Sequence, residues 1–172
     1  MCLKNCRGNA IRFDKDKNLT IDPHFCVYCG RCVAICPEKA IKVDESFWPR
    51  FQCALAISAK EVLKTFTKQN ILHINIIMNI TALCDCFGMG QPSIVQDIGI
   101  MFSKNISAIE KATLDKIGQK QLFENAMPGK RKFIQEEVHP FKKAWGKDPY
   151  VQITEAEKIG IGKSKYIIKK VI

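Results

Sequence analysis

Cys26-x2-Cys29-x2-Cys32-x3-Cys36-Pro37 constrains this chain more than any other stretch. Four thiolates at this spacing, closed by a proline, match the run that holds a [4Fe–4S] cubane. The reason is reach. Two-residue gaps let a tight loop wrap its first three cysteines round one face of the core. The fourth cysteine follows a longer gap and points elsewhere. Pro37 fixes φ and needs no donor there, and Gly30 lets the backbone pass close to the inorganic core. Zinc sites instead pair Cys-x2-Cys units across a long spacer. A [4Fe–4S] cluster is therefore the expected cofactor, with Cys26, Cys29 and Cys32 as its nearest ligands.

The start of the chain repeats part of this run thirty residues earlier. Cys2, Cys6, Ala10, Ile11 and Asp14 align with Cys32, Cys36, Ala40, Ile41 and Asp44, although Arg7 replaces the proline. The pattern resembles a bacterial two-cluster ferredoxin, in which the last cysteine of each run ligates the other cluster. Cys2 and Cys6 then read as the third and fourth cysteines of a preceding run whose first two would lie before Met1. One intact cluster is expected, held by Cys26, Cys29, Cys32 and the remote Cys6. Cys36 is the alternative fourth ligand, as in single-cluster relatives. A second cluster is expected only if a partner supplies the missing cysteines, with Cys2 and Cys36 left to receive it.

Nearly half of the 172 residues are apolar, which indicates a globular chain. No signal peptide is legible, and the most apolar run, residues 71–80, is too short for a bilayer. Nine cysteines without a secretion signal favour metal ligation over disulfides, so a cytoplasmic location is expected. The net charge of +10 is uneven. Residues 1–50 hold nine basic and six acidic side chains, residues 51–103 three of each, and residues 104–172 fifteen and eight. A basic tail can contact nucleic acid or an acidic redox partner. It lacks interleaved aromatics and is poor in arginine, which argues for a solvated surface instead.

Residues 1–46 read as the cluster module. Short strands are expected at 11–14, 19–21 and 41–43, with a turn at 15–18. Residues 47–172 read as a second domain. Helical spacing over 51–69 puts Leu55, Ala59, Val62, Leu63 and Phe66 on one apolar stripe. Residues 71–80 read as a buried strand, 94–102 as extended, and 106–117 as an amphipathic helix carrying Ile109, Ala112, Leu114 and Ile117. Further helices are expected near 131–145 and from Thr154, which is a candidate N-cap, to a stop at Gly160 or Gly162. Residues 165–171 read as a strand.

Cys84-Asp85-Cys86 follows the 71–80 strand, where loops of α/β sheets present ligands, and two thiols beside a carboxylate could bind a metal. Residues 74–81 leading into this loop, then 92–100 with Asp97-Ile98-Gly99, Ser103-Lys104 and the 108–112 helix segment resemble the uncharacterised iron–sulfur centre proteins catalogued as domain of unknown function 362. Residues 155–162 and Tyr166 are similar to the closing segment of that family. The resemblance implies a ferredoxin insert ahead of a Cys-Asp-Cys loop, and a chain corresponding to the C-terminal part of longer members. The expected fold class is α+β: a truncated ferredoxin-like module followed by part of an α/β domain.

Three functions follow. The first is a [4Fe–4S] electron carrier serving a redox partner protein, which could be the missing N-terminal half. The second is a redox enzyme of unknown reaction with Cys84, Asp85, Cys86 and Asp97 at its site. No general-base constellation accompanies it, and His24, His73 and His139 read as scattered structural histidines. The third is a non-catalytic, basic partner-binding protein.

Overall fold

In the computed structural model, residues 2–26, 30–42, 46–82, 90–127 and 138–171 are described. They fall into two compact units, residues 1–47 and 48–172.

The first unit begins with the single turn α1 (Cys2–Asn5), then the antiparallel strands β1 (Ile11–Phe13) and β2 (Leu19–Ile21), and later the short helix α2 (Arg31–Ile35). Ile11 pairs with Ile21 and Phe13 with Leu19. The Asp22 N–H adds a further rung by donating to Ala10 O at 2.8 Å. The expected turn is a three-residue loop. Asp14 Oδ1 accepts from the N–H groups of Asp16 and Asn18 at 2.9 and 2.8 Å, and Lys17 takes the left-handed position at φ 62°. Ala10 and Ile11 are buried beneath the hairpin. Residues 41–42, expected to start a strand, have no strand partner among the described residues.

The second unit contains α3 (Phe47–Leu63), β3 (His73–Ile77), β4 (Gly99–Ser103), α4 (Ile106–Gly118), α5 (Pro140–Trp145) and α6 (Val151–Lys158). β3 and β4 pair antiparallel, with Ile74 opposite Phe102 and Ile76 opposite Ile100. α4 covers one face of this ribbon, where Asn75 Nδ2 donates to Glu110 Oε1 at 3.0 Å and to Thr113 Oγ1 at 2.9 Å. The core gathers Ile77, Ile80, Ile94, Val95, Ile117 and Met127. The irregular chain around it is stitched in by backbone bonds, Ile94 N–H to Ile80 O and Phe123 N–H to Ile94 O, each at 2.7 Å.

Several expectations for this unit need correction. The 71–80 strand is shorter and only half buried, since Ile74 and Ile76 face outward. The apolar stripe of α3 is not its packing face: Leu55, Val62 and Phe66 are exposed, while Ala56 is buried. The tertiary bonds come from one edge of the stripe, through Gln52 and Lys60 on either side of Ala56. Gln52 Nε2 donates to Asp148 O at 3.1 Å, Gln52 Oε1 accepts from the Gln152 N–H at 3.2 Å, and Lys60 Nζ donates to Ile159 O at 2.5 Å. Thr154 is not an N-cap. It lies inside α6, with its hydroxyl donating to Tyr150 O at 3.3 Å. Residues 165–171 form no strand, and among the described residues no strand pairs with them. The expectation for 106–117 matches α4 closely, with Ile109, Ala112, Leu114 and Ile117 all buried. The second unit is thus helical with an antiparallel ribbon, and the fold class is α+β.

After α6 the chain returns to the start of α4. Asn105 Oδ1 caps α4 by accepting from the Ala108 N–H at 3.3 Å, and its Nδ2 donates to Lys163 O at 2.9 Å. Glycine at 162 leaves room for this cap, because a Cβ there would displace Asn105 Oδ1 and meet Ser107 Oγ at 3.2 Å. The carboxylate of Asp115 in α4 closes the same region. It accepts from Tyr150 Oη at 2.9 Å, from Tyr166 Oη at 2.7 Å and from Lys111 Nζ at 2.6 Å. Burial alone would raise its pKa, but these donors outweigh that and hold it below the usual carboxylate value. The partnership raises both tyrosine pKa values, with burial the leading cause for Tyr150 and the Asp115 hydrogen bond for Tyr166.

Candidate iron–sulfur site

The first unit is built twice over. Cys6 follows α1 and Cys36 follows α2. After each cysteine the backbone makes the same turn: the Asn9 N–H donates to Cys6 O at 3.2 Å and the Lys39 N–H to Cys36 O at 3.1 Å. Asn9 and Lys39 share φ 50°. The next residue then aims its amide at sulfur, Ala10 N–H to Cys6 Sγ and Ala40 N–H to Cys36 Sγ, both at 3.3 Å. The thirty-residue repeat in the sequence is therefore a repeat of structure.

These amides matter chemically. An N–H directed at sulfur favours the charged thiolate over the thiol, and thiolate is the form that binds iron. Both Cys6 and Cys36 have pKa values below the ordinary thiol value, with the Ala10 and Ala40 amides as the respective leading causes. In a cluster protein the same N–H···S bonds bear on the reduction potential.

The remaining predicted ligands are placed as follows. Cys2 opens α1 and Cys32 lies in α2, and these two helices touch. The touching helices draw the two cysteine runs together. Cys26 is half-buried at the end of the loop after β2, its N–H donating to Asp22 O at 3.0 Å. Asp22 also orders this loop through its Oδ1, which accepts from the His24 N–H at 2.9 Å. Arg12 lies over the Phe25 ring, 5.2 Å from its centroid, and puts a positive charge beside the loop. Gly30 takes φ 69° immediately before α2, a left-handed conformation that turns the chain out of the cysteine loop. Cys29 lies outside the described residues. Among the described residues, no three His, Cys, Asp or Glu side chains converge as a metal site, and none of the described cysteines is in a disulfide. The donor set fits a cluster: soft thiolates, two of them already supplied with amide donors, on contacting helices.

The second set of candidates fares differently. Cys84, Asp85 and Cys86 lie outside the described residues. Asp97 has a structural task, its Oδ1 accepting from the N–H of Asn79, which is itself left-handed at φ 50°. Two features escaped the sequence reading. One is the pair of Ala10 and Ala40 amides, which any residue but proline would supply and which therefore leave no signature. The other is Cys53 on α3, half-buried and outside both cysteine runs.

Known proteins share the first unit. A family profile described as a 4Fe–4S dicluster domain matches residues 1–45. An uncharacterized ferredoxin of Methanocaldococcus jannaschii is 37% identical over 43 residues, which is 25% of this chain and 69% of that protein. No solved structure matches the chain. The cofactor is of the 4Fe–4S type. Through its first unit, the chain belongs to the ferredoxin-type proteins with a 4Fe–4S dicluster domain.

Proposed function

We propose that this protein is a one-electron carrier in which Cys6, Cys26, Cys29 and Cys32 hold one [4Fe–4S] cluster. The observation that carries the reading is the Ala10 N–H on Cys6 Sγ at 3.3 Å. It gives a cysteine outside the compact motif an N–H donor that favours the thiolate, which supports a ligand exchange between ferredoxin runs. When bound, such a cluster accepts and releases single electrons. The chain's own residues then have distinct tasks. The four thiolates fix the group, and the Ala10 amide and the Arg12 guanidinium moderate its negative charge. Asp22 and Gly30 shape the loop between β2 and α2.

Cys36 has the same preparation through Ala40 at 3.3 Å, so it is the competing fourth ligand. In this arrangement Cys2 and Cys36 remain available to a second cluster, whose other two cysteines a partner protein would supply. The proposed kinship with domain of unknown function 362, over most of residues 1–118 and more weakly 150–170, would add a setting but no reaction. The alternative is a redox enzyme built on Cys84, Asp85, Cys86 and Asp97, in which the Asn79 N–H would orient the Asp97 carboxylate. The electron donor or acceptor is proposed to be a separate redox protein.

Anaerobic reconstitution with ferrous iron and sulfide tests the reading. The expected product holds about four iron and about four sulfide per chain and gives an electron paramagnetic resonance signal on one-electron reduction. Stoichiometric zinc binding with no such signal would count against it.

A further inference from the structure

The outer face of the β3–β4 ribbon is apolar and uncovered. Ile74, Ile76, Ile100 and Phe102 are 58%, 67%, 65% and 61% exposed, and the flanking Leu72 and Met78 are 54% and 47% exposed. The register puts Ile74 beside Phe102 and Ile76 beside Ile100, so the four central side chains form one continuous surface. α4 covers only the opposite face. A two-stranded ribbon is marginal by itself, and the solvated face of an antiparallel pair is ordinarily polar, whereas here the polar residues Asn75 and Ser103 lie on the other face and the exposed one is apolar.

We infer that this face is a self-association surface, on which a second copy of the chain packs its own β3–β4 ribbon about a two-fold axis. Three observations favour this occupant. First, the area suffices. Taking about 200 Å² for a large apolar residue, the six exposed groups present roughly 700 Å² per copy, above what monomers ordinarily leave exposed. Two copies face to face would remove roughly 1,400 Å², within the range of specific dimers. Second, the surface can face itself without repulsion. The net charge of +10 lies elsewhere, because residues 51–103 carry three basic and three acidic side chains. β3 and β4 contain no Lys, Arg, Asp or Glu at all. Third, the ribbon lacks the usual guards. Neither strand has an edge lysine or a proline to discourage association. A two-fold interface needs one self-complementary patch, and this is one.

The inference is independent of the cluster ligands, and its test separates the two. Sedimentation velocity is run on the full chain, in metal-free and reconstituted forms, from about 1 to about 100 µM. A dimer is expected in both forms. Ile76→Lys and Phe102→Lys, tested singly, would bury a charge in the interface and weaken association on the order of a hundredfold. Because both side chains are exposed within one copy, the circular dichroism spectrum should match that of the parent, while the thermal midpoint loses the concentration dependence that dimerisation gives it. Val62→Lys, on the exposed stripe of α3, serves as the control and should leave the dimer intact. A monomer throughout the concentration range would overturn the inference. So would a dimer that survives both sheet variants, dissolves with Val62→Lys, or forms only with iron.

Discussion

His139 acts as a hinge pin at the start of α5. Its Nδ1 accepts from the Phe141 N–H at 3.1 Å, which leaves Nε2 to donate to Leu114 O at 2.9 Å. Both bonds are made by the neutral ring. Burial is the largest influence and pushes its pKa below the ordinary histidine value, against the opposing pull of Leu114 O, Asp115 and Asp148. In the unfolded chain the ring titrates near 6.5. Below that pH the unfolded state takes up a proton that the folded state resists, so stability rises with pH across this window. The stabilisation from neutral His139 should be complete above about pH 6.5 and fall away as the pH drops toward the folded-state value. Urea midpoints measured between about pH 7 and about pH 5 should therefore decline more steeply for the parent than for His139→Asn. Parallel slopes would show that His139 contributes nothing to the pH dependence. Scattered histidines in the sequence suggested structural roles, and the bonds to Leu114 and Phe141 give His139 one. At the same scale, the cysteine runs and the cofactor type they imply were legible from spacing alone. The amides that prepare Cys6 and Cys36 were not, because every non-proline residue carries one.

Among the elements, the β1–β2 hairpin was written most plainly in the sequence. Two short apolar strands flank Asp14-Lys15-Asp16-Lys17-Asn18, and Asp14 folds that loop with its own carboxylate. One residue strains against it: Lys17 holds φ 62° with a Cβ attached. Lys17→Gly should relieve this, less the extra freedom glycine gives the unfolded chain, for a net gain of about 0.5 kcal/mol. Hydrogen exchange at the Asp14 amide, which donates to Asn18 O at 3.0 Å, should then slow about twofold. Faster exchange would mean that the left-handed residue is not a source of strain. α4 was equally readable, because its apolar period coincides with its packing face. α3 was not. Periodicity reports that a stripe exists, but not what it meets. In α3 the packing face is only one edge of the stripe, around Ala56, where Gln52 and Lys60 make the tertiary bonds. Residues 165–171 failed for a related reason: β-branched composition favours a strand only where a partner edge is present.

Over the whole molecule, two compact units differ in how much of their role is written in the sequence. The first unit carries its chemistry in its cysteine spacing, and the fold doubles that pattern into two equivalent turns with N–H···S bonds. The second unit has a packed core under α4 and an apolar ribbon face that its own described residues leave open. Among the described residues, no helix is long and apolar enough to cross a membrane. The central claim concerns the first unit: the fourth iron ligand is Cys6, thirty residues from its structural counterpart Cys36. Both sulfurs receive an amide at 3.3 Å, so only substitution separates them. Iron and sulfide content after anaerobic reconstitution, measured side by side for Cys6→Ser and Cys36→Ser, decides the point. The account predicts that Cys36→Ser retains about four iron per chain and the reduced-state resonance signal, while Cys6→Ser loses both. A Cys6→Ser protein that keeps its full cluster, beside a Cys36→Ser protein that has none, would contradict it.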